Sequence, residues 1–216
     1  MTTSPTPEVA ARVRALKAEP ASAYDDPDFQ RAASSPIAPQ RAVADLQAAA
    51  GPGAIFVSDI GEHMLFALHY LTARSADRFT IHLGLGSMAS GIASAVGLAL
   101  GDRTRRVICI CGDGGMQMAG MELLVAVKLR LPIVFAVFND ARYNMVYHGY
   151  RYTFGREAAW ETPVIDFALL DGGQQHADGP EAQLLPGPHG GLHVVGDLGL
   201  EGHARSRARG RGDAPQ

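Results

Sequence analysis

From Ala54 onward, short apolar runs alternate with amphipathic ones. Ala54 to Ser58 is a β-branched and aromatic run and predicts a strand. In His63 to Thr72, Leu65, Leu68 and Leu71, with Phe66, recur at helical spacing and predict a helix with one wide apolar face. Phe79 to Leu83 is a short strand candidate, and Ser87 to Leu100 a helix rich in Ala and Gly. Arg106 to Cys111 reads as a fully buried strand, Met116 to Arg130 as a helix, and Pro132 to Phe138 as another all-apolar strand. Upstream, Pro36 and Pro39 punctuate the start of a helix with Val43 and Leu46 on one face. Continuously apolar strands need cover on both sides. The pattern therefore predicts an α/β fold, an open doubly wound parallel sheet with helices on both faces and right-handed crossovers.

The periodicity covers only part of the 216 residues. Residues 1–35 are linker-like: a short amphipathic stretch, Val9 to Lys17, precedes Pro20, Asp25, Asp26 and Pro27. Residues 36–170 form the expected domain. Residues 171–216 hold 11 of the 25 glycines and no Phe, Trp or Tyr, and end in an Arg/Gly run. They predict an irregular or disordered tail, with its four histidines in solvated loops. A net charge of −3 argues against a broad nucleic-acid surface. Leu83 to Gly101 carries no charge over 19 residues, but its Gly, Ala and Ser content reads as a buried small-residue helix rather than a membrane span. Cys109 and Cys111 sit inside an apolar run and read as core; two cysteines make neither a disulfide framework nor a structural zinc site. With no apolar leader in Met1 to Val9, the expectation is a cytoplasmic protein. Met116, Met118 and Met121 read as packing.

Chemistry concentrates in the loops after the predicted strands, where open α/β sheets bind ligands. These are Asp59-Ile60-Gly61-Glu62-His63, Gly84-Leu85-Gly86-Ser87-Met88, Gly112-Asp113-Gly114-Gly115, and Asn139-Asp140-Ala141-Arg142-Tyr143-Asn144-Met145. Gly112-Asp113-Gly114 ends a strand and opens a helix, a place suited to phosphate. An Asp there repels a bare phosphate but makes sense with a cation between them. Mg²⁺ takes oxygen ligands and shares them with phosphate. Asp113, an oxygen side chain from the next strand end (Asp140 or Asn139) and a backbone carbonyl would supply half its shell. The spacing leaves room for one helix and one return strand, so the arrangement reads as a diphosphate-metal clamp.

Gly112-Asp113-Gly114, followed 24 residues later by Asn139-Asp140, resembles the thiamine diphosphate signature of acetolactate synthases and 2-oxoacid decarboxylases. Gln117-Met118, Glu122-Leu123 and Leu131-Pro132 fit the same pattern, and the likeness covers about residues 36 to 168. It implies Asp113 as first metal ligand, Asp140 as second with Asn139 as fallback, and the Arg142 carbonyl as third. It implies diphosphate contacts from Gly61, Glu62, His63, Gly112, Gly114 and Gly115. Gly86 and Ser87 would hold the aminopyrimidine, and Met88 would wedge between the cofactor's two rings. Tyr143, Asn144, Met145 and Val146 would cover the diphosphate and line the pocket. Glu62 stands where the synthases commonly have Gln, Asp140 where the family usually has Asn, and Asn144 where a Gly is found. The implied cofactors are thiamine diphosphate and Mg²⁺. The implied chemistry is attack on the carbonyl of a 2-oxoacid such as pyruvate, followed by decarboxylation or carbon–carbon bond formation.

In that family the activating Glu lies on a separate pyrimidine-binding domain, and the site forms between two chains. This sequence lacks that domain, so its own catalytic residues are unassigned. The expectation is a subunit or fragment, inactive without a pyrimidine-binding partner or homo-oligomer. The alternative is a non-catalytic cofactor-binding or assembly module. Gly84-x-Gly86-x-x-Ala89, with Asp113 24 residues after Ala89, also fits a dinucleotide fingerprint. That lesser reading leaves the Asn139-Asp140 loop unexplained. Tyr143 and Tyr147 could equally be core, and His148 pocket or surface.

Overall fold

Six consecutive buried residues, Val107–Gly112, form the central strand β3 of a five-stranded sheet. A computed structural model describes residues 6–18, 28, 31, 33–34, 37–167 and 191–195. Helix α1 (Pro7–Ala18) lies in the N-terminal segment. The domain then runs α2 (Pro39–Ala50), β1 (Ile55–Ser58), α3 (Glu62–Tyr70), β2 (Phe79–Ile81), α4 (Ser90–Gly101), β3, α5 (Asp113–Ala119), a 3₁₀ turn (Gly120–Glu122), α6 (Leu123–Leu129), β4 (Ile133–Asn139) and α7 (Asn144–Phe154). β5 (Gly191–Val195) completes the sheet.

The sheet order is β2-β1-β3-β4-β5, with the first four strands parallel. Both faces are covered, which is why β1, β3 and β4 carry no polar alternation. On one face Val57, Val107, Cys109, Cys111, Phe135 and Val137 pack with Ile92 and Ala95 of α4, Leu123 of α6, and Phe167. On the other, Phe56, Ile108, Ile110 and Val134 pack with Leu46 of α2 and Ala67 of α3. The two cysteines are fully buried core residues, as their setting predicts. α4 is 12 residues long, and no described helix is long and apolar enough to cross a membrane.

Three expectations need correction. The apolar face of α3 is not the leucine stripe: His63, Met64 and Ala67 are buried, while Leu65 and Leu68 are about half exposed. The buried positions instead follow His63, Met64 and Ala67, with Leu71 beyond the helix end packed against the core. Met116 to Arg130 is not one helix; Ala119 (φ −137°) leaves helical geometry, and the chain restarts at Leu123. The break turns Met118 and Met121 to solvent and leaves Met116 as the buried methionine of the three. The third correction concerns the tail, which supplies β5, paired antiparallel to β4 from Phe135↔Val195 to Asn139↔Gly191. Gly191 and Leu192 carry no strong local strand signal; the exposed edge of an all-apolar strand provides the pairing partner. The rest of the tail, including the Arg/Gly run, lies outside the described residues. The amphipathic stretch Val9 to Lys17 falls within the helix Pro7–Ala18, whose described side chains are largely exposed.

Strand order reverses between β1 and β3, so the loops that leave these two strands diverge and open a crevice at their C-terminal ends.

Candidate functional site

That crevice is a cavity of ≈ 590 Å³. Every site residue singled out from the sequence lines it except Ser87: Gly61, Glu62, His63, Gly86, Met88, Gly112, Asp113, Gly114, Gly115, Asn139, Asp140, Arg142, Tyr143, Asn144, Met145 and Val146. Ser87 borders a second hollow of ≈ 470 Å³ with His82, Ser90 and Ser94. Its carbonyl accepts the Ser90 hydroxyl at 2.8 Å. The sequence did not mark Ile37, Pro39 and Ala42 around the start of α2, nor Ile60, Phe66 and Phe138, which give the cavity its apolar wall.

Asp113 opens α5 directly from β3 and is 3% exposed. Its Oδ2 accepts the Thr162 hydroxyl at 2.7 Å. Asp140, at the tip of β4, accepts the Arg142 N–H at 3.3 Å and the Asn144 side-chain amide. Burial, and then the charge of Asp113, push its carboxyl up to about 6, against the pull of those two donors; Glu62 adds to the rise. Asn139 spends its side chain on the backbone: Nδ2 donates to the Ile165 carbonyl at 2.9 Å and Oδ1 accepts the Ala141 N–H at 3.3 Å. Of the two strand-end oxygens, Asp140 is therefore the one whose charge meets Asp113. The Arg142 carbonyl accepts the Asn144 N–H at 2.9 Å and keeps a second lone pair.

Between these carboxylates and β1 lies a surface of bare backbone. A Cβ on Gly114 would sit 2.5 Å from the Tyr143 ring and 3.1 Å from the Met88 methyl. A Cβ on Gly112 would lie 2.9 Å from His63 Nδ1. Side chains from three loops thus close over glycines, and the first-turn N–H groups of α5 remain without intrahelical acceptors. His63 is 7% exposed, beside Phe138, and its Nε2 has no partner. Burial lowers its pKa to about 4 despite a bond to the Asp59 backbone, so it is neutral at pH 7. A buried nitrogen left unpaired beside a cavity is a place for a ligand atom.

Asp59 had no assigned role in the sequence reading. It is fully buried, and its two oxygens accept the Ala89 and Gly91 N–H groups at 2.9 and 3.0 Å. Burial raises its pKa, against three backbone donors. Gly91 is needed there because a Cβ would lie 2.6 Å from the Asp59 Cα. This carboxylate holds the Met88 loop, with Ala89 in the left-handed region (φ 70°), against the tip of β1. It also fills the α4 N-terminus, the seat that a dinucleotide pyrophosphate would need. A charged residue ending an apolar strand was the available signal. Nothing local marks Thr162.

Glu62, Asp113 and Asp140 make the cavity acidic. Arg142 is paired with Glu161 at 3.6 Å and lies over the Tyr147 ring, and Glu62 takes His148 Nδ1 at 2.9 Å. Tyr147 donates to Glu157 at 2.9 Å. Among the described residues no three His, Cys, Asp or Glu side chains cluster as a metal site. The available donors are two carboxylates and backbone carbonyls, all hard oxygens. They suit Mg²⁺ sharing its shell with phosphate, and do not suit zinc or a soft metal.

Comparison with known proteins places the chain in a family. The family described as "Thiamine pyrophosphate enzyme, C-terminal TPP binding domain" matches residues 59–171. The acetolactate synthase of Bacillus subtilis is 32% identical over 135 residues, covering 62% of this chain and 22% of that protein. The acetolactate synthase large subunit of Buchnera aphidicola is 34% identical over 113 residues, covering 52% and 20%. The chain spans about one fifth of the length of these relatives. A thiamine diphosphate-dependent 4-hydroxybenzoylformate decarboxylase of Rhodococcus jostii shares the fold, with a TM-score of 0.58 at 22% identity, over 64% of this chain and 26% of that one.

Proposed function

The chain belongs to the thiamine pyrophosphate enzymes, matching their C-terminal TPP-binding domain, and from that premise we propose that it binds the diphosphate of thiamine diphosphate through a shared Mg²⁺. It serves as the diphosphate-binding part of a 2-oxoacid decarboxylase or carboligase of acetolactate synthase type. The observation that carries the reading is the pairing of Asp113 and Asp140 beside a glycine-lined helix start, in an acidic cavity whose described arginine is already paired. A diphosphate is repelled by such a site unless a divalent cation intervenes.

Asp113, Asp140 and the Arg142 carbonyl would hold the cation. The Gly114 and Gly115 N–H groups would face the diphosphate, and neutral His63, whose one ring N–H goes to the Asp59 backbone, would present Nε2 as an acceptor. Met88 and Tyr143 pack over Gly114 and set the width of the slot. When bound, thiamine diphosphate supplies a carbon nucleophile and an electron sink for cleaving the bond beside a ketone. Phe66, Phe138, Ile60 and the start of α2 give that region an apolar wall.

Calorimetric titration with thiamine diphosphate and Mg²⁺ tests binding. Asp113→Ala should weaken it at least tenfold, on the order of the 1.5–3 kcal/mol carried by charge-assisted contacts. Unchanged affinity refutes the clamp. Pyruvate turnover by the lone chain should be negligible and should appear on adding a chain that carries a pyrimidine-binding domain; failure of every such addition favours a non-catalytic cofactor-binding module.

A further inference from the structure

The Trp160–Thr162 segment joins two loops that the chain itself keeps far apart. It runs antiparallel to the loop after β4, with a bridge between Arg142 and Glu161. The Tyr143 N–H donates to the Trp160 carbonyl at 2.9 Å, and the Thr162 N–H to the Ala141 carbonyl at 2.8 Å. From that position the Thr162 hydroxyl donates to Asp113 Oδ2 at 2.7 Å, across 49 residues of sequence. Both residues are buried, at 9% and 3% exposure. A threonine hydroxyl has one hydrogen, and here it is committed to the carboxylate.

We propose that Thr162 is a positioning residue of the cation site: it orients the Asp113 carboxylate and, through the backbone bridge to Ala141–Tyr143, holds the Asp113 loop and the Asp140 loop in one arrangement. The proposal rests on the cation reading above. The physical need is clear. Two carboxylates near one another repel, and an empty acidic site gains free energy by spreading apart. A hydroxyl bonded to one carboxylate and fixed by its backbone to the other loop opposes that spreading. It also fixes the plane of Asp113, so that less reorganisation is required when a cation arrives.

The test uses the full chain, with Mn²⁺ as an EPR-visible probe in the presence of thiamine diphosphate. Thr162→Val keeps the shape and removes the donor; Thr162→Ser restores the donor on a smaller side chain. The expected result is a loss of Mn²⁺ affinity of about tenfold to a hundredfold in T162V, the range of a hydrogen bond to a charged group. Recovery to within about threefold is expected in T162S. A merely structural threonine would lower the melting temperature while leaving Mn²⁺ affinity of the folded protein unchanged. Wild-type affinity in T162V, or T162S no better than T162V, overturns the proposal. If T162V does not fold, T162C against T162S decides by the same criterion, the thiol being the weaker donor. Failure of the wild-type chain to bind Mn²⁺ overturns the cation reading, and this inference with it; that outcome is seen in the wild type alone and so is distinct from an effect confined to the variants.

Discussion

His63 is the group whose perturbation tests the site most sharply, because burial has already altered its chemistry. Its pKa falls from 6.5 to about 4 in the folded protein. Between those values the unfolded chain binds the proton and the folded chain does not, so stability rises with pH. The contribution is fully present above about pH 6.5 and is lost as pH falls toward 4. At ~1.4 kcal/mol per tenfold in proton affinity, it comes to at most roughly 3 kcal/mol. Asp140 acts in the opposite sense. Its folded pKa is raised from 3.8 to about 6, so the folded chain binds more protons in that window and stability falls as pH rises through it. Asp140 is only partly buried at the cavity mouth, and its contribution is discounted for solvent screening, to about 1 kcal/mol. Asp59, raised by burial, adds to it in direction.

The wild-type chain should therefore gain on the order of 1–2 kcal/mol between about pH 4 and 6.5 from these groups together. His63→Gln removes the rising contribution and leaves the carboxylates, so the difference between wild type and variant should shift by up to roughly 3 kcal/mol across the window. Urea unfolding followed by circular dichroism, in metal-free buffer at several pH values, measures both curves. Parallel curves for the two proteins would refute the claim that the folded chain holds His63 neutral.

Two further outcomes follow from the geometry. Gly114→Ala places a methyl 2.5 Å from the Tyr143 ring; it should weaken thiamine diphosphate binding at least tenfold by displacing the wall of the slot, read by calorimetry, whereas unaltered binding would show that Tyr143 moves freely. Asp59→Ala strips the Ala89 and Gly91 N–H groups of their acceptors; it should cost about 2–5 kcal/mol in urea unfolding, from two buried donors left unpaired, and a loss below 1 kcal/mol would mean that water replaces the carboxylate.

The order of elements from α2 to β4, apart from the break after Ala119, the parallel character of the first four strands and the loops that carry chemistry were legible in the sequence. Apolar run lengths and glycine-acid motifs are local signals, and they held for Val107–Gly112, Ile133–Asn139 and the Asp113 and Asp140 loops. What depended on how elements dock was not legible. The leucine spacing of α3 gave a helix but the wrong buried face, because docking angle, not periodicity, selects the face. β5 pairs with the edge that β4 offers, and only Val194 and Val195 of its five residues carry local strand propensity. Asp59 and Thr162 act on residues 30 to 49 positions away. A hydrogen bond acts over about 3 Å and ignores the length of chain between its partners. The sequence by itself therefore determined which acids and glycines end the strands. Only the tertiary structure decided which of those acids meet, and which neighbours hold them together.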